Sequence, residues 1–266
     1  MTDSTPGESL IASMKDIQSL HDSRRINIRK VGVKTITYPI IVLDKECNTQ
    51  QTVAKVNMYV NLPHRFKGTH MSRFVEILNR FHGQFNLKTF HLILEEMKSR
   101  LDAEAAHLDI EFPYFLKTRQ TAINPGMKRY DCRLHGSLFR QLDLVVEVAV
   151  PVPLTAVFSG LWGMVTVAVR MNRFLWIEDL IVLVEEAIIP QPAHPDEVES
   201  LCRRIGSVLR GSGALYWYKI VVKNIATGYS AFASTEWSGA MGNDTDQPAD
   251  RTSPSEATGP VLISPS

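Results

Sequence analysis

Two kinds of hydrophobic pattern alternate along the first half of the chain. In some segments apolar and polar residues alternate, which is typical of half-buried strands. In others apolar residues recur every three or four positions, which is typical of amphipathic helices. Together these segments predict the order strand, strand, helix, helix, strand, strand. The predicted strands are residues 34–43, 52–62, 107–116 and 129–139, and the predicted helices are residues 71–81 and 87–104.

The second half of the chain repeats this order. Its strand-like segments are apolar and rich in β-branched residues, and two helix-like segments lie between them. We therefore predict two tandem ββααββ units and an α+β fold, with no sequence identity detectable between the units. The predicted strands are residues 142–152, 161–171, 215–222 and 229–235, and the predicted helices are residues 176–188 and 195–209.

The ends of the chain differ in composition from the middle. Ser, Thr, Pro, Gly, Asp and Ala dominate both ends, so neither has enough apolar surface to offset the entropy of ordering. We predict disordered tails at 1–15 and 238–266. The predicted units between them are 16–139, which includes an N-terminal segment, and 140–237.

Composition and charge exclude several classes of protein. The 266 residues include 29 Lys and Arg against 28 Asp and Glu, so the net charge of +1 gives no general attraction for nucleic acid or anionic membranes. No apolar run approaches the ~20 residues that span a bilayer, and the start lacks the pattern of a secretory signal. The three cysteines form no Cys-x-x-Cys pair. We predict a cytoplasmic protein that binds neither nucleic acid nor membrane.

One candidate binding segment lies between a predicted strand and a predicted helix. It is the octapeptide Lys67-Gly-Thr-His-Met-Ser-Arg-Phe74, which gathers basic side chains, a hydroxyl and backbone donors at a helix start. Such a place suits an anion. The simpler interpretation is an ordinary helix N-cap, because Ser and Thr are preferred there.

The octapeptide resembles the signature of the type IB GTP cyclohydrolase family. The resemblance covers about residues 16 to 235 and is stronger in the first half. It implies a tunnelling fold (T-fold), in which antiparallel sheets of several units join into a barrel with helices outside and ligands bind between units. It also implies a small-molecule substrate and a homo-oligomer, predicted here to be a dimer or tetramer. The other matching stretches include Asp16-Ile17-Gln18, Val31-Gly32-Val33-Lys34, Tyr38-Pro39-Ile40 and Gln51-Thr52-Val53-Ala54.

The resemblance breaks down at the metal site. Family members open the imidazole ring of GTP with a metal-bound water, held by a thiolate, imidazoles and a carboxylate. Where the family has the thiolate and the histidines, residues 148–167 and 222–231 contain neither cysteine nor histidine. Only the family's helix glutamate has a counterpart, Glu185. We therefore predict no metal site, no cofactor and the loss of metal-dependent GTP hydrolysis.

The leading hypothesis from the sequence is a metal-independent enzyme of a biosynthetic pathway. It would catalyse a cyclisation, isomerisation or elimination by general acid and base groups. Glu185 is the predicted base and His70 the predicted acid, although Glu185 is also explained as a solvated helix carboxylate. Two alternatives stay open: a non-catalytic regulatory subunit or binder of a pterin-like planar ligand, and a GTP cyclohydrolase with rearranged metal ligands. The predicted substrate-binding residues are Lys67, Thr69, Arg73 and Arg24.

Overall fold

A single nine-stranded sheet forms the body of the protein in the computed structural model. The structure describes residues 30–62, 70–117, 126–153, 162–188, 198–225 and 230–239. The strand order is β3-β1-β2-β4-β5-β6-β7-β8-β9, and every pair is antiparallel except the two-residue pairing of β3 with β1. The strands are β1 (Val31–Asp44), β2 (Asn48–Asn61), β3 (Gln84–Phe85), β4 (Ala105–Lys117), β5 (Met127–Leu138), β6 (Leu142–Pro153), β7 (Trp162–Met171), β8 (Leu215–Ile225) and β9 (Phe232–Ser238).

Four helices cover one face of this sheet. α2 begins at a capping box, because the Asn86 side chain accepts from the Thr89 backbone while the Thr89 hydroxyl accepts from the Asn86 backbone. Its buried stripe, which includes Phe90 and Met97, packs on β4 and β5. α3 packs on β6 and α4, and α4 packs on β8 and β9. The helices are α1 (Ser72–Arg80), α2 (Leu87–Arg100), α3 (Ile177–Ile188) and α4 (Val198–Gly211).

The two faces of the sheet differ as the alternating pattern predicts. On the helix side of β2, Val56, Met58 and Val60 are fully buried, and β4 and β7 contribute similar runs. The opposite face carries charged cross-strand pairs. One of these is Arg170 of β7 with Asp143 of β6, whose two hydrogen bonds measure 2.7 and 2.9 Å. The hydrophobic core therefore lies between the sheet and the helices.

The predicted order of elements agrees with the structure. Strand, strand, helix, helix, strand, strand occurs twice, with the short β3 as an addition between α1 and α2. The α+β class is confirmed, with a large, mostly antiparallel open sheet. β5 pairs with β6, so the two halves share one continuous sheet, and the unit boundaries 16–139 and 140–237 stay predictions.

The predicted tails fall almost entirely outside the described residues. Residues 1–15 are not described, and of 238–266 only Ser238 and Gly239 are. Ser238 is the last residue of β9 rather than the first of a tail, because it pairs with Trp217. No helix in the described part of the chain is long and apolar enough to span a membrane. Cytoplasmic location stays a prediction.

Gly136 of β5 provides a close contact between sheet and helix that a larger residue would block. A Cβ at this position would overlap the ring of Phe90, which is 1% exposed on α2. We predict that Gly136→Ala lowers the free energy of unfolding by about 1–3 kcal/mol, because the ring must move within a packed core. Urea unfolding measures this. Gly211→Ala is the control, because a Cβ there meets nothing within 4 Å; equal midpoints for the two variants would contradict the prediction.

His107 makes the stability of the fold depend on pH. Its ring stacks on Tyr59 with centroids 4.6 Å apart, and burial, Lys30 and His135 lower its pKa from 6.5 to about 4. The folded protein therefore disfavours the protonated ring, so this contribution to stability is complete above pH 6.5 and is lost as the pH falls towards 4.

We predict that His107→Gln flattens the loss of stability between pH 7 and pH 5, because glutamine does not titrate. Chemical unfolding at several pH values measures the slope. His91→Gln serves as the control, because 38% of the His91 side chain is exposed on α2, where it pairs with Glu95. An unchanged slope in His107→Gln would show that this ring does not govern the pH dependence.

Candidate active site

A cavity of about 800 Å³ lies between helix α3 and one end of the strands of the first half. The β1–β2 turn, β4, β5, β6 and α3 all contribute to its lining, so both halves of the chain are needed to form it. Charged side chains are frequent in the described lining, where six carboxylates face three ammonium groups. The carboxylates are Asp44, Glu46, Glu178, Asp179, Glu185 and Glu186, and the ammonium groups are Lys45, Lys117 and Lys128.

Two tyrosines of the first half hold two glutamates of α3. Tyr114 and Tyr130 lie directly opposite each other on β4 and β5. The Tyr114 hydroxyl donates to Glu178 Oε1 at 2.5 Å, and the Tyr130 hydroxyl donates to Glu185 Oε1 at 2.6 Å. Both glutamates lie on the same face of α3, because seven residues make almost two full helical turns. This cluster of Tyr114, Tyr130, Glu178 and Glu185 is called the tyrosine–glutamate cluster below.

Glu178 is the more buried of the two glutamates. It is 6% exposed, and its Oε1 also accepts from the Lys45 backbone N–H at 2.7 Å. Its Oε2 is buried and has no hydrogen-bond partner among the described residues. Burial and this carboxylate raise the pKa of Tyr114 far above its ordinary value, so the hydroxyl stays a donor.

The β1–β2 turn is fixed beside Glu178 by Asp44. Asp44 Oδ1 accepts from the backbone N–H groups of Glu46 and Cys47 at 2.9 and 2.6 Å, as in an Asx turn. Gln50 adds a second anchor, because its side chain donates to the carbonyl of Phe115 and accepts from its N–H, both at 2.9 Å. These hydrogen bonds therefore hold the β1–β2 turn in place at one side of the cavity.

Glu185 lies in the cavity lining, closer to solvent than Glu178. Besides the Tyr130 hydroxyl, its Oε1 accepts from Lys128 Nζ at 2.9 Å, and 35% of its side chain is exposed. Burial and the hydrogen bond to Glu185 raise the pKa of Tyr130 well above its ordinary value. The sequence-predicted base is thus held by two donors at the surface of the cavity.

The structure does not bring the other predicted residues to this cavity. His70 precedes α1, and Arg73 lies in its first turn, where its guanidinium approaches the carbonyl of Arg100 at 3.5 Å. Both are exposed, and neither belongs to the described lining. His70 and Glu185 therefore do not meet in this cavity within one chain. Lys67, Thr69 and Arg24 lie outside the described residues.

The start of α1 differs from an ordinary capped helix. Its N-cap residue is Met71, which makes no side-chain hydrogen bond to the first turn, and no acidic residue occurs there. The N-cap interpretation of the Ser and Thr residues therefore fails at Ser72, which is already helical. Anion binding at this helix start stays a prediction.

Most of the residues that shape the cavity were not among those predicted from the sequence. Tyr114 and Tyr130 stand at positions of the strand pattern where an apolar residue is expected, and their pairing depends on the register of β4 and β5. Glu178 carries one available signal, its spacing of seven residues from Glu185 on a predicted helix. Asp44 is recognisable only as a turn residue.

The family resemblance implies a catalytic metal. Among the described residues, no three His, Cys, Asp or Glu side chains come together in a group that could hold a metal ion. The described residues alone therefore do not fit such a metal, and none of the chemical steps proposed for this chain involves one. Of the stretches 148–167 and 222–231, where the resemblance places the other ligands, residues 154–161 and 226–229 lie outside the described residues.

Comparison with solved structures defines the class of fold. The chain is similar to the uricase of Arthrobacter globiformis, with a TM-score of 0.58 and 10% identity over 82% of this chain and 96% of that one. A uricase of Bacillus fastidious gives a TM-score of 0.58 at 7% identity, over 79% and 93%. The antiparallel sheet with helices on one face is thus uricase-like and consistent with a tunnelling fold, and the described strands form an open sheet.

Comparison of sequences then shows the family. The family model described as type I GTP cyclohydrolase folE2 matches residues 14–157. A GTP cyclohydrolase FolE2 of Syntrophobacter fumaroxidans is 43% identical over 254 residues, which cover 84% of this chain and 99% of the relative. One of Syntrophus aciditrophicus is 41% identical over 253 residues, with the same coverage. The chain belongs to the FolE2 family of GTP cyclohydrolases.

These comparisons correct three predictions made from the sequence. The predicted loss of GTP hydrolysis is wrong, because relatives about 40% identical over most of the chain are named GTP cyclohydrolase. The metal-independent cyclase hypothesis is wrong for the same reason. The family label also changes from type IB to the type I FolE2 of the matching model. The stretches 148–167 and 222–231 lack the expected ligands, but the identity to these relatives extends over most of the chain.

Asp44 and Lys45 are neighbours that should differ sharply in their effect on stability. We predict that Asp44→Ala costs about 1–3 kcal/mol of unfolding free energy, because two backbone N–H groups lose their acceptor. Lys45→Ala should cost about 0–1 kcal/mol, because its ion pair with Asp179 at 2.7 Å is solvent-exposed. Thermal unfolding compares the two, and an equal loss in both variants would contradict this assignment.

Proposed function

We propose that this protein hydrolyses GTP in the cavity beneath α3, opening the imidazole ring and releasing formate on the way to a dihydropterin. The observation that carries the proposal is the 43% identity to a GTP cyclohydrolase FolE2 over 84% of this chain. The cavity supports it, because about 800 Å³ lies within the range of small-molecule sites.

The charges of the lining favour the base of GTP over its phosphates. Guanine presents N1–H and a 2-amino group, which are donors that carboxylates accept. A triphosphate needs cations. All three lysines in the described lining have a carboxylate partner: Lys45 pairs with Asp179, Lys128 with Glu185, and Lys117 with Glu46 at 4.0 Å. We therefore place the guanine in the cavity and the triphosphate at its mouth.

The groups that bind the triphosphate are proposed to come from a second copy. Lys67, Arg73 and Arg24 remain the candidate cations and Thr69 the candidate hydroxyl, and Arg73 lies away from the cavity of its own chain. β1 and β9 stand near the two ends of the open sheet. Joining these ends between copies protects exposed strand edges, which supports a barrel built from a homodimer or homotetramer.

Glu185 is the proposed base. Two successive hydrolyses at C8 remove that carbon as formate and leave amine nitrogens at N7 and N9. Each attack requires a water that loses a proton as its oxygen bonds to carbon, and Glu185 is the carboxylate proposed to take it. Tyr130 and Lys128 hold the carboxylate through Oε1, so its other oxygen is available to a water. His70, from a second copy, is the proposed acid that protonates a departing nitrogen.

Formate release from GTP by the full-length chain, with its metal content measured in parallel, tests this proposal. We predict turnover by the wild type and a loss of about 10²-fold or more in Glu185→Gln, because general base catalysis contributes that much. Glu186→Gln is the matched control, since Glu186 is the neighbouring exposed glutamate of the same lining. A wild-type protein that releases no formate would refute the function, and equal activity in the two variants would refute the role of Glu185.

A further inference from the structure

Glu178 is a buried carboxylate that stability alone does not explain. Only 6% of the residue is exposed, and one of its two oxygens has no partner among the described residues. A buried ionisable group with an unsatisfied oxygen costs free energy, and well-packed apolar residues often replace such groups without loss of stability. Its place in the structure therefore suggests a task other than stabilising the fold.

The tyrosine–glutamate cluster shows what that task is. Tyr114 and Tyr130 occupy paired positions on adjacent strands, so the sheet fixes their separation. Their hydroxyls reach two glutamates that are roughly 10 Å apart along α3, at a rise of about 1.5 Å per residue. One hydrogen bond leaves a helix free to pivot about the contact, whereas two contacts, one near each end, define both its position and its direction.

The Lys45 backbone strengthens the buried end of this arrangement. Its N–H donates to the same Oε1 of Glu178 that accepts from Tyr114, so the β1–β2 turn and β4 meet at one carboxylate oxygen. The exposed end has weaker support, because Lys128 is 46% exposed and its ion pair with Glu185 is screened by water. Of these two hydrogen-bonded contacts, the one at Glu178 therefore constrains the direction of α3 more strongly.

We infer that Tyr114 and Glu178 are a positioning pair, which sets the orientation of α3 and thereby the place of the Glu185 carboxylate in the cavity. Neither residue needs to touch the substrate. The role of Glu185 in turnover rests on the proposed function, but its placement by Tyr114 and Glu178 does not. A shift of about 1 Å at a catalytic group is enough to reduce turnover by about 10²-fold.

Tyr114→Phe tests the inference, because it removes one oxygen and leaves the ring in place. Tyr218→Phe is its matched control, because Tyr218 on β8 is buried to the same degree as Tyr114. The Tyr218 hydroxyl donates to the carbonyl of Gly206 on α4 at 3.1 Å. Each variant thus loses one hydrogen bond between a strand tyrosine and a helix. Tyr114→Phe also loses the longer contacts of its hydroxyl with Asp44 Oδ2 at 3.3 Å and the Leu43 carbonyl at 3.4 Å. Thermal unfolding checks that the two lose similar stability.

The expected result is a difference in kcat. Tyr114→Phe should lower kcat for formate release about tenfold or more with KM changed by less than about twofold, while Tyr218→Phe keeps both near wild type.

Glu178→Gln should retain most of the turnover, because the amide oxygen still accepts from Tyr114 and from the Lys45 N–H. In a Glu185→Gln background, Tyr114→Phe should have no further effect, because the pair acts through Glu185. Equal kcat in Tyr114→Phe and Tyr218→Phe would overturn the inference. The same fold-loss of kcat from Tyr114→Phe in the Glu185→Gln background as in the wild type would also overturn it.

Amide hydrogen exchange separates this inference from the proposed function. If the wild type releases no formate, the function fails, and exchange at 182–188 of α3 then decides the positioning role alone. Tyr114→Phe should accelerate exchange there but not in α4, and Tyr218→Phe should do the reverse. Unchanged exchange in α3 would overturn the inference. Should Tyr114→Phe not fold, Glu178→Ala against Glu178→Gln provides the same comparison, with loss of turnover and protection expected only in the alanine variant.

Discussion

The hydrogen bonds from Tyr114 and Tyr130 to Glu178 and Glu185 are the contacts on which the candidate site depends. They join strands of the first half to a helix of the second, and the cavity lies beside this junction. The contacts require the continuous sheet, because only the pairing of β4 with β5, and of β5 with β6, brings these residues under α3. The two halves are thus joined by a shared sheet and by a shared site.

The sequence predicted the elements of the fold well because each follows from local periodicity. The alternation along β2 and the three-and-four spacing along α2 correspond to most of the buried residues of those elements, although the apolar residues Val53 and Leu87 are exposed. β3 was missed because a two-residue strand has no periodicity, and it exists only through its pairing with Ile41 and Val42. Glu185 was found through a family motif, whereas Tyr114, Tyr130 and Glu178 depend on register and helix placement, which no local pattern contains. Anion binding by the segment before α1 was predicted from local sequence, and it stays a prediction.

Short stretches of the sequence and identity over most of the chain lead to different conclusions about function. Two stretches without cysteine or histidine, 148–167 and 222–231, suggested an abandoned activity, but together they are a small part of the chain. Identity of about 40% over most of the chain reflects the whole scaffold, including the helix that carries Glu185. The conclusion that follows is a FolE2-family protein in which α3, held by first-half tyrosines, presents a carboxylate to a cavity of suitable size.

The place of the guanine base tests this account most directly. A crystal structure of the full chain with 7-deaza-GTP would show it, since carbon in place of N7 prevents opening of the ring. The account predicts the base in the cavity, with C8 facing the Glu185 carboxylate and with the Tyr114 and Tyr130 hydrogen bonds intact. Nucleotide bound elsewhere, for example on the charged face of the sheet that carries Arg170 and Asp143, would contradict it.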